Sequence, residues 1–130
     1  MIFKNYSDSA RQLSDKIKVE GIVNPIFTYI NPDAKSYCQL VTANPVSSLD
    51  LKLPTPASLV ILDDGNTRAL EFSEFTDRIR KTNPQTNIII AVPVIPESEK
   101  KTFESACDSL IFLHSDPLFF SVNQFYQDPQ

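Results

Sequence analysis

The sequence predicts an α/β domain built on a mostly parallel sheet of about five strands, with helices on both faces. Apolar, β-branched runs alternate with segments of helical periodicity, which is typical of this class. Two of the runs, residues 57–62 and 87–94, are apolar on both faces, as are the central strands of parallel sheets. The 130 residues can bury one substantial core, so residues 1–130 are interpreted as a single domain.

The first half of the chain predicts two helices and two strands. Residues 7–19 carry an apolar stripe at helical spacing, with Ser7 as the candidate N-cap. Residues 22–30 are rich in β-branched and aromatic side chains and predict a strand. The Asn-Pro-Asp run at residues 31–33 predicts a second helix start, because it combines an N-cap, a first-turn proline and an acid. Residues 46–53 predict a short strand that prolines terminate.

The second half repeats a strand-helix alternation more regularly. Strands are predicted at residues 57–62, 87–94 and 108–113, and helices between them at residues 68–81 and 97–107. Parallel strands are joined by right-handed crossovers, which place the helices on both faces of the sheet.

Composition excludes several functional classes. The net charge is −4 and no basic cluster is present, so no nucleic-acid partner is expected. No apolar run approaches the roughly 20 residues of a membrane helix, and residues 1–6 lack a signal-peptide pattern. A cytoplasmic protein without a membrane partner is therefore expected. Cys38 and Cys107 fall on apolar positions and are interpreted as reduced core residues.

An acidic pair, Asp63 and Asp64, ends the central strand at residues 57–62. In open α/β sheets ligands bind at the carboxyl ends of the strands, so this pair is the leading candidate site. Three interpretations are open. The pair can be a solvated strand end with an Asp-Gly turn, or a site for a hard cation such as Mg²⁺. It can also be a sugar site, in which the acids accept ribose hydroxyls and amides of the next helix start bind a phosphate.

A further signal is the order of motifs across residues 59–128. Residues 87–96 read Asn-Ile-Ile-Ile-Ala-Val-Pro-Val-Ile-Pro, residues 106–108 read Ala-Cys-Asp, and the tail at residues 116–128 is rich in aromatic side chains. In this order and spacing the chain resembles a group of bacterial type I phosphoribosyltransferases, and residues 3–13 are similar to the opening helix of that group. The resemblance implies a Rossmann-like, phosphoribosyltransferase-like fold and, in intact members, phosphoribosyl transfer from phosphoribosyl pyrophosphate.

The chain departs from that family at the loop that binds the ribose phosphate. Members read Asp-Asp-x-x-x-Thr-Gly-x-Thr, whereas residues 68–71 here read Arg-Ala-Leu-Glu. The glycine that lets amides approach phosphate is absent, as are both threonine hydroxyls. Glu71 would stand near a negative ligand, which is unfavourable by about 1 kcal/mol or more, and Arg68 compensates only in part. The expected result is a loss of affinity for the phosphate.

Two other parts that contact phosphate in the family also differ. The pyrophosphate-binding turn corresponds to residues 29–34, which contain no glycine and include a proline that cannot donate. Asp33 would repel pyrophosphate, and Lys35 is the nearest cation in sequence. The hood and the flexible catalytic loop are missing, because residues 53–58 join the second and third strands directly, and no lid remains to exclude water.

These departures predict a shortened, degenerate phosphoribosyltransferase-like protein that does not catalyse. It would act by weak binding of phosphoribosyl pyrophosphate or a nucleotide, or by assembly as a homodimer. Apart from Mg²⁺ on Asp63 and Asp64, no cofactor is indicated. The candidate ligand-binding residues, for ribose on the acids and phosphate on the amides and guanidinium, are Asp63, Asp64, Gly65, Asn66, Thr67, Arg68 and Ala69.

Two alternative functions remain. The first is an active phosphoribosyltransferase that uses phosphoribosyl pyrophosphate and Mg²⁺. The second is a receiver domain of a phosphorelay, which needs an acidic pair after the first strand and a lysine after the fifth. Residues 31–33 and 114–117 do not supply these groups.

The remaining candidates are interpreted as structural. His114, the one histidine, is interpreted as a loop residue, because no nucleophile pattern accompanies it to suggest a general base. The aromatic side chains of the tail are interpreted as packing onto the sheet or a second subunit, with stacking on a base as the alternative. These aromatic residues are Phe119, Phe120, Phe125 and Tyr126.

Overall fold

The computed structural model describes residues 2–54 and 56–128. The helices and strands in these ranges are α1 (Tyr6–Val19), β1 (Pro25–Tyr29), α2 (Lys35–Val41), β2 (Val46–Ser47), β3 (Ser58–Leu62), α3 (Ala69–Thr82), β4 (Asn87–Pro96), α4 (Lys100–Ser105) and β5 (Ser109–Asp116). Within the described residues, three 3-10 turns lie between these elements, at Pro32–Ala34, Ser48–Asp50 and Glu97–Glu99, and a fourth, Val122–Phe125, follows β5. No helix in the described ranges is both long enough and apolar enough to cross a membrane.

The five strands form one sheet in the order β2-β1-β3-β4-β5. Every neighbouring pair is parallel, which confirms the predicted α/β class with a Rossmann-like fold. The chain first places β2 on one side of β1 and then crosses to place β3 on the other side. The carboxyl ends of β1 and β3 therefore flank the switch point, where doubly wound sheets bind ligands.

Helices cover both faces of the sheet, as predicted. On one face α1 and α2 bury Leu13 and Tyr37 against strand residues such as Val60. On the other face α3 and α4 bury Phe72 and Phe103, whose ring centroids are 5.2 Å apart. Alternate side chains of β3 and β4 pack into the two apolar cores, because successive strand side chains point to opposite faces of the sheet.

Three predicted boundaries in the first half of the chain are wrong. The N-cap of α1 is Asn5 and not Ser7, because the Asn5 side chain accepts the Asp8 amide at 2.9 Å. β1 begins at Pro25 rather than residue 22, because the preceding turn contains Gly21 and Asn24 at positive φ. These left-handed positions cannot belong to a strand.

The second predicted strand is also shorter than expected, since β2 ends at Ser47. The Ser47 hydroxyl accepts the Leu49 amide at 3.3 Å and starts the 3-10 turn that follows. Leu51 and Leu53 then pack against the α3 and α4 face instead of pairing with the sheet. Their spacing of two suggested a strand, but here it belongs to an apolar connection that packs on the α3 and α4 face.

The predicted helix at residues 97–107 divides into the 3-10 turn Glu97–Glu99 and the short helix α4. β5 is longer than predicted and includes His114, which pairs in register with Val94, so the interpretation of His114 as a loop residue is wrong. Cys38 and Cys107 are buried free thiols, as predicted.

The C-terminal tail returns to the start of the chain. The Ile2 and Phe3 amides both donate to the Phe125 carbonyl, and Phe3 packs against Tyr126 with ring centroids 5.4 Å apart. The tail aromatics Phe125 and Tyr126 are buried with Val94 in a third apolar cluster. The predicted packing of the tail onto the sheet is confirmed for these two residues.

Candidate functional site

The candidate loop, residues 63–68, connects β3 to α3 at the carboxyl edge of the sheet. Its first residues are not solvated, because Asp63 is 1% exposed and Asp64 is 6% exposed. Carboxylates so deeply buried need partners that replace water. The interpretation of the pair as a simple solvated strand end therefore does not apply.

Asp63 finds its partners inside its own loop. Its Oδ2 atom accepts the Gly65 amide at 2.9 Å and the Thr67 amide at 3.1 Å. Its Oδ1 atom accepts the Thr67 hydroxyl at 2.6 Å. Both carboxylate oxygens thus accept hydrogen bonds from the loop, which folds around the Asp63 side chain.

Asp63 has an unusual protonation equilibrium for a carboxyl group. Burial first, and the neighbouring Asp64 charge second, raise its pKa from 3.8 to about 7. The hydrogen bonds from Thr67 and Gly65 oppose this rise, because they stabilise the carboxylate. Both Asp63 oxygens already accept hydrogen bonds, whereas Mg²⁺ prefers an octahedral set of oxygen ligands, so Mg²⁺ binding by the pair stays a prediction. In the described ranges, no group of three His, Cys, Asp or Glu side chains could hold a metal ion.

Asp64 is held differently. Its Oδ1 atom accepts the Asn66 amide at 2.9 Å. Its charge contributes to raising the pKa of Tyr37 and raises that of Tyr6, although burial has the larger effect on both. Burial first, and then the interactions with Tyr6 and Asp64, raise the pKa of Tyr126 to about 12. Asp64 therefore faces a cluster of tyrosines that remain protonated at neutral pH.

The tyrosine cluster is organised by Ser9 on α1. Its Oγ atom lies 2.9 Å from the Tyr37 hydroxyl and 2.8 Å from the Tyr126 hydroxyl, and it donates to the Tyr6 carbonyl at 3.2 Å. The rings of Tyr6 and Tyr126 meet edge to face, with centroids 4.8 Å apart. This polar core joins α1, α2 and the tail beneath the acidic loop.

We expect Ser9→Ala to lower the free energy of unfolding by about 2 kcal/mol, because two buried tyrosine hydroxyls lose the oxygen they share. Urea denaturation followed by circular dichroism measures this value. Ser7→Ala is the matched control, since Ser7 is exposed on the same helix and its replacement should change stability by less than about 0.5 kcal/mol. Equal losses in the two variants would contradict the role given to Ser9.

The amino end of α3 carries an anion supplied by the chain itself. Glu99, from the 3-10 turn after β4, accepts the Ala69 amide at 3.0 Å. The same Oε1 atom lies 3.9 Å from the Arg68 Nε atom. α3 has no side-chain cap of its own, so the Glu99 carboxylate takes the place that a helix N-terminus offers to an anion.

Gly65 has a structural reason to be glycine. Its φ angle is +102°, in a region that side chains rarely adopt. A Cβ atom at this position would lie 2.8 Å from Val94 Cγ2 and 3.2 Å from the Val94 carbonyl oxygen. The close approach is thus to β4 and not to a ligand.

An open cavity of about 380 Å³ lies beside the loop. Its polar lining includes Arg68 and Glu99, and its apolar lining comes from Pro96 and from Phe119 and Phe120 of the tail. The cavity stands at the carboxyl edge between the ends of β3 and β4, on the α3 side of the acidic loop. It is smaller than most drug-sized sites but large enough for one ring or one sugar.

In the predicted pyrophosphate turn after β1, Asn31 caps the 3-10 turn that follows it. The Asn31 side chain accepts the Asp33 amide at 3.0 Å, and the Asn31 carbonyl accepts the Ala34 amide at 3.0 Å. The Asn31 Nδ2 atom also reaches the Thr67 hydroxyl at 3.5 Å, which links the ends of β1 and β3. This turn therefore supports the acidic loop.

The structure brings all seven predicted site residues into one loop and helix start. It adds Glu99, Ser9, Tyr6 and Tyr37, which the sequence patterns did not indicate, and it brings in Asn31 and Tyr126, for which the sequence suggested other roles. The position of Glu99 near the loop could have been inferred from the sequence, because Glu99 follows β4, and β4 neighbours β3 in a parallel sheet. In the sequence, Tyr6 and Tyr37 are apolar positions of helices, and Tyr126 is one of the aromatic residues of the tail.

Comparison with protein-family models finds no match, and no curated protein matches the chain. Among solved structures, the chain is similar to TT1426 from Thermus thermophilus. The superposition has a TM-score of 0.78, covers 98% of this chain and 91% of that one, and shows 11% sequence identity. A likeness at this identity establishes the fold alone. The chain is thus an α/β protein of Rossmann-like fold. At the carboxyl edge of its sheet lies an acidic loop whose carboxylates accept hydrogen bonds from amides of the same loop.

Proposed function

We propose that this protein is a phosphoribosyltransferase-like domain that does not catalyse, and that it acts by weak binding of a ribosyl ligand or by homo-oligomeric assembly. The motif order of residues 59–128 supports the family, and the parallel sheet with its acidic strand end agrees with it. The main observation in favour of lost catalysis is that the backbone amides of the loop are already hydrogen-bonded within the chain. Those of Asn66, Thr67 and Ala69 donate to carboxylates of the chain, where the family would hold a phosphate.

Electrostatics supports the same conclusion. A ligand phosphate at the start of α3 would meet the Glu99 carboxylate and the buried Asp64, with Arg68 as the nearest cation in the loop. Like charges about 4 Å apart repel by about 1 to 4 kcal/mol between bulk water and a protein surface. An uncharged ribosyl group avoids this repulsion, and its hydroxyls would have to reach Asp64, which is 6% exposed.

We expect Glu99→Ala to raise the affinity for phosphoribosyl pyrophosphate by about tenfold, because it frees the Ala69 amide and Arg68 for the ligand phosphate. Calorimetric titration with and without Mg²⁺ measures the change. In the unaltered protein, this ligand should bind no more tightly than adenosine, which carries ribose without phosphate. Glu97→Ala, on the same 3-10 turn, is the matched control and should leave both affinities unchanged.

Three outcomes decide the proposal. Micromolar, Mg²⁺-dependent binding by the unaltered protein, with pyrophosphate release in the presence of a base, would establish the active-enzyme alternative. Binding of neither ligand by any variant would overturn the ribosyl site. Binding that persists unchanged in Asp64→Asn would overturn the placement of the ribose; Asp63 is unsuited to this test because it holds the loop together.

A further inference from the structure

Asp64 is screened from solvent although its loop lies at the surface. The residue is 6% exposed, whereas Asn66, two positions further on, is exposed. The Asp64 carboxylate accepts the Asn66 amide at 2.9 Å. The cavity beside the loop is lined by Asn66 but not by Asp64. A single amide does not keep water from a carboxylate, so the burial of Asp64 depends on the side chains packed around it.

Three tyrosines lie close to Asp64. Burial first, with a contribution from the Asp64 charge, raises the pKa of Tyr6, Tyr37 and Tyr126. Tyr37 and Tyr126 are 2% and 3% exposed, and the Ser9 Oγ atom lies within 2.9 Å of both hydroxyls. Tyr6 is the member of the three that is partly exposed. Its side chain therefore extends from the acidic pair to the protein surface.

The contacts of the Tyr6 side chain are individually weak. Its ring meets those of Tyr37 and Tyr126 edge to face, with centroids 5.2 Å and 4.8 Å apart. Its hydroxyl is hydrogen-bonded to the Asn66 side chain. Each aromatic pair, and a hydrogen bond to an exposed side chain, contributes modestly to stability. Such contacts can break without unfolding of the domain.

The backbone at Tyr6 is fixed, but its side chain has room to rotate. Tyr6 is the first residue of α1, and Asn5 before it caps the helix by accepting the Asp8 amide at 2.9 Å. In the body of a helix the preceding turn blocks one of the three χ1 rotamers. The first residue of a helix has no preceding turn. The Tyr6 ring can therefore rotate about χ1 while α1 stays in place.

We propose that the Tyr6 side chain is a movable cover over Asp64, and that a ligand hydroxyl reaches this carboxylate only when the Tyr6 ring rotates away. This deepens the ribosyl site of the proposed function and rests on it. Rotation also releases the Asn66 side chain, which bonds Tyr6 and lines the cavity. Because only the open fraction of the protein can bind, the cover lowers the apparent affinity. Weak binding of a ribosyl ligand then follows from a cover that is mostly closed.

Carboxyl labelling measures the cover directly. A water-soluble carbodiimide couples a small amine to accessible carboxylates, and mass spectrometry of the peptides gives the rate at each residue. In the unaltered protein Asp64 should react slowly, and Asp50, which is exposed, should react fast. We expect Tyr6→Ala to raise the rate at Asp64 by about tenfold or more, because both ring contacts are lost. The rate at Asp50 should not change.

Milder variants separate a cover from a general loosening of the core. Tyr6→Phe and Asn66→Ala remove the same hydrogen bond, so each should raise the Asp64 rate by about threefold. The double variant should react no faster than either single one, because the two changes act on one contact. Ser9→Ala is the matched control, since it removes the oxygen shared by the other two tyrosines and keeps the Tyr6 ring. Its Asp64 rate should equal that of the unaltered protein.

An unchanged Asp64 rate in folded Tyr6→Ala would overturn the proposal. An equal rise in Ser9→Ala would also overturn it, since loosening of the cluster would then expose Asp64. If circular dichroism shows that Tyr6→Ala is unfolded, the milder pair decides, because Asn66 is exposed and its replacement does not threaten folding. Additive rises in that pair, or none, would overturn the proposal.

The ribosyl site is tested separately in the same assay. Adenosine should protect Asp64 from labelling in Tyr6→Ala, and at lower concentration than in the unaltered protein, because the variant no longer has to open. Fast labelling of Asp64 that adenosine does not slow would leave Tyr6 as a cover and overturn the ribosyl site. Slow labelling of Asp64 in Tyr6→Ala, with adenosine bound in calorimetry, would overturn the cover and leave the ribosyl site.

Discussion

Gly65→Ala is expected to lower the free energy of unfolding by about 4 kcal/mol, the largest effect of any single substitution in the candidate loop. Two costs add. A side chain at φ +102° strains the backbone by about 1 to 3 kcal/mol. The new methyl group would also overlap Val94 on β4, and overpacking of this kind costs about 1 to 3 kcal/mol. Because part of the contact is with the Val94 backbone, the neighbour cannot simply rotate away.

Gly21→Ala is the matched control for this prediction. Gly21 has φ +63° in the turn after α1, and nothing lies within 4 Å of the position that its Cβ atom would take. The backbone strain alone remains, so we expect a loss of about 1 kcal/mol. Chemical denaturation of both variants measures the difference. Similar losses would show that contact with Val94 has no part in the requirement for glycine at residue 65.

Asp63→Ala is expected to lower the free energy of unfolding by about 3 kcal/mol at pH 5. The Gly65 amide, the Thr67 amide and the Thr67 hydroxyl would all lose their acceptor. Each buried donor left without a partner costs about 1 to 3 kcal/mol, and some relaxation of the loop reduces the sum. Asp64→Ala is the control, because Asp64 accepts one amide of the loop, and its loss should be about 1 kcal/mol or less.

The pH dependence of Asp63 has the opposite sign from that of a salt-bridged carboxylate. Its folded pKa is raised to about 7 from an ordinary value of 3.8. Between these values the folded protein binds more protons at this site than the unfolded chain does. The stability that protonated Asp63 contributes is therefore complete below about pH 4 and is lost as the pH rises to about 7.

Asp63→Asn isolates this effect, because asparagine resembles the protonated acid and does not titrate. All other groups are common to the two proteins. We expect the free energy of unfolding of the unaltered protein, relative to the Asp63→Asn variant, to fall by more than about 1 kcal/mol between pH 4 and pH 7.5. Urea denaturation across this range measures it. A constant or rising difference would mean that the hydrogen bonds of the loop outweigh burial.

Together these predictions give Asp63 and Gly65 a structural function in the loop. Family resemblance placed both among the ligand-binding residues, yet their partners here are Thr67 and Val94. Of the acidic pair, Asp64 is the better candidate for a ligand contact, since only its Oδ1 atom accepts an amide of the loop. Assays of ligand binding should accordingly rely on variants of Asp64 and Glu99.

Some elements could be predicted from local pattern alone. β3 and β4 were predictable because continuous apolar runs bounded by prolines, glycine and acids fit the centre of a parallel sheet. α3 was predictable from its apolar stripe and late basic residues, and its observed start differs by one residue. The end of β2 was not predictable, because Leu51 and Leu53 keep strand-like spacing while they pack on a helical face.

The sequence by itself determined the α/β class, the two-faced core and the position of the acidic pair at a strand end, because these depend on periodicity and on residues close together in the chain. Only the tertiary structure decided what the pair does. The parallel pairing of β3 with β4 brings Glu99 to the start of α3, 30 residues away along the chain. The return of the tail brings Tyr126 to Ser9 beneath the loop. Contacts of such sequence separation leave no periodic signal, since they arise from packing of whole elements and not from local spacing.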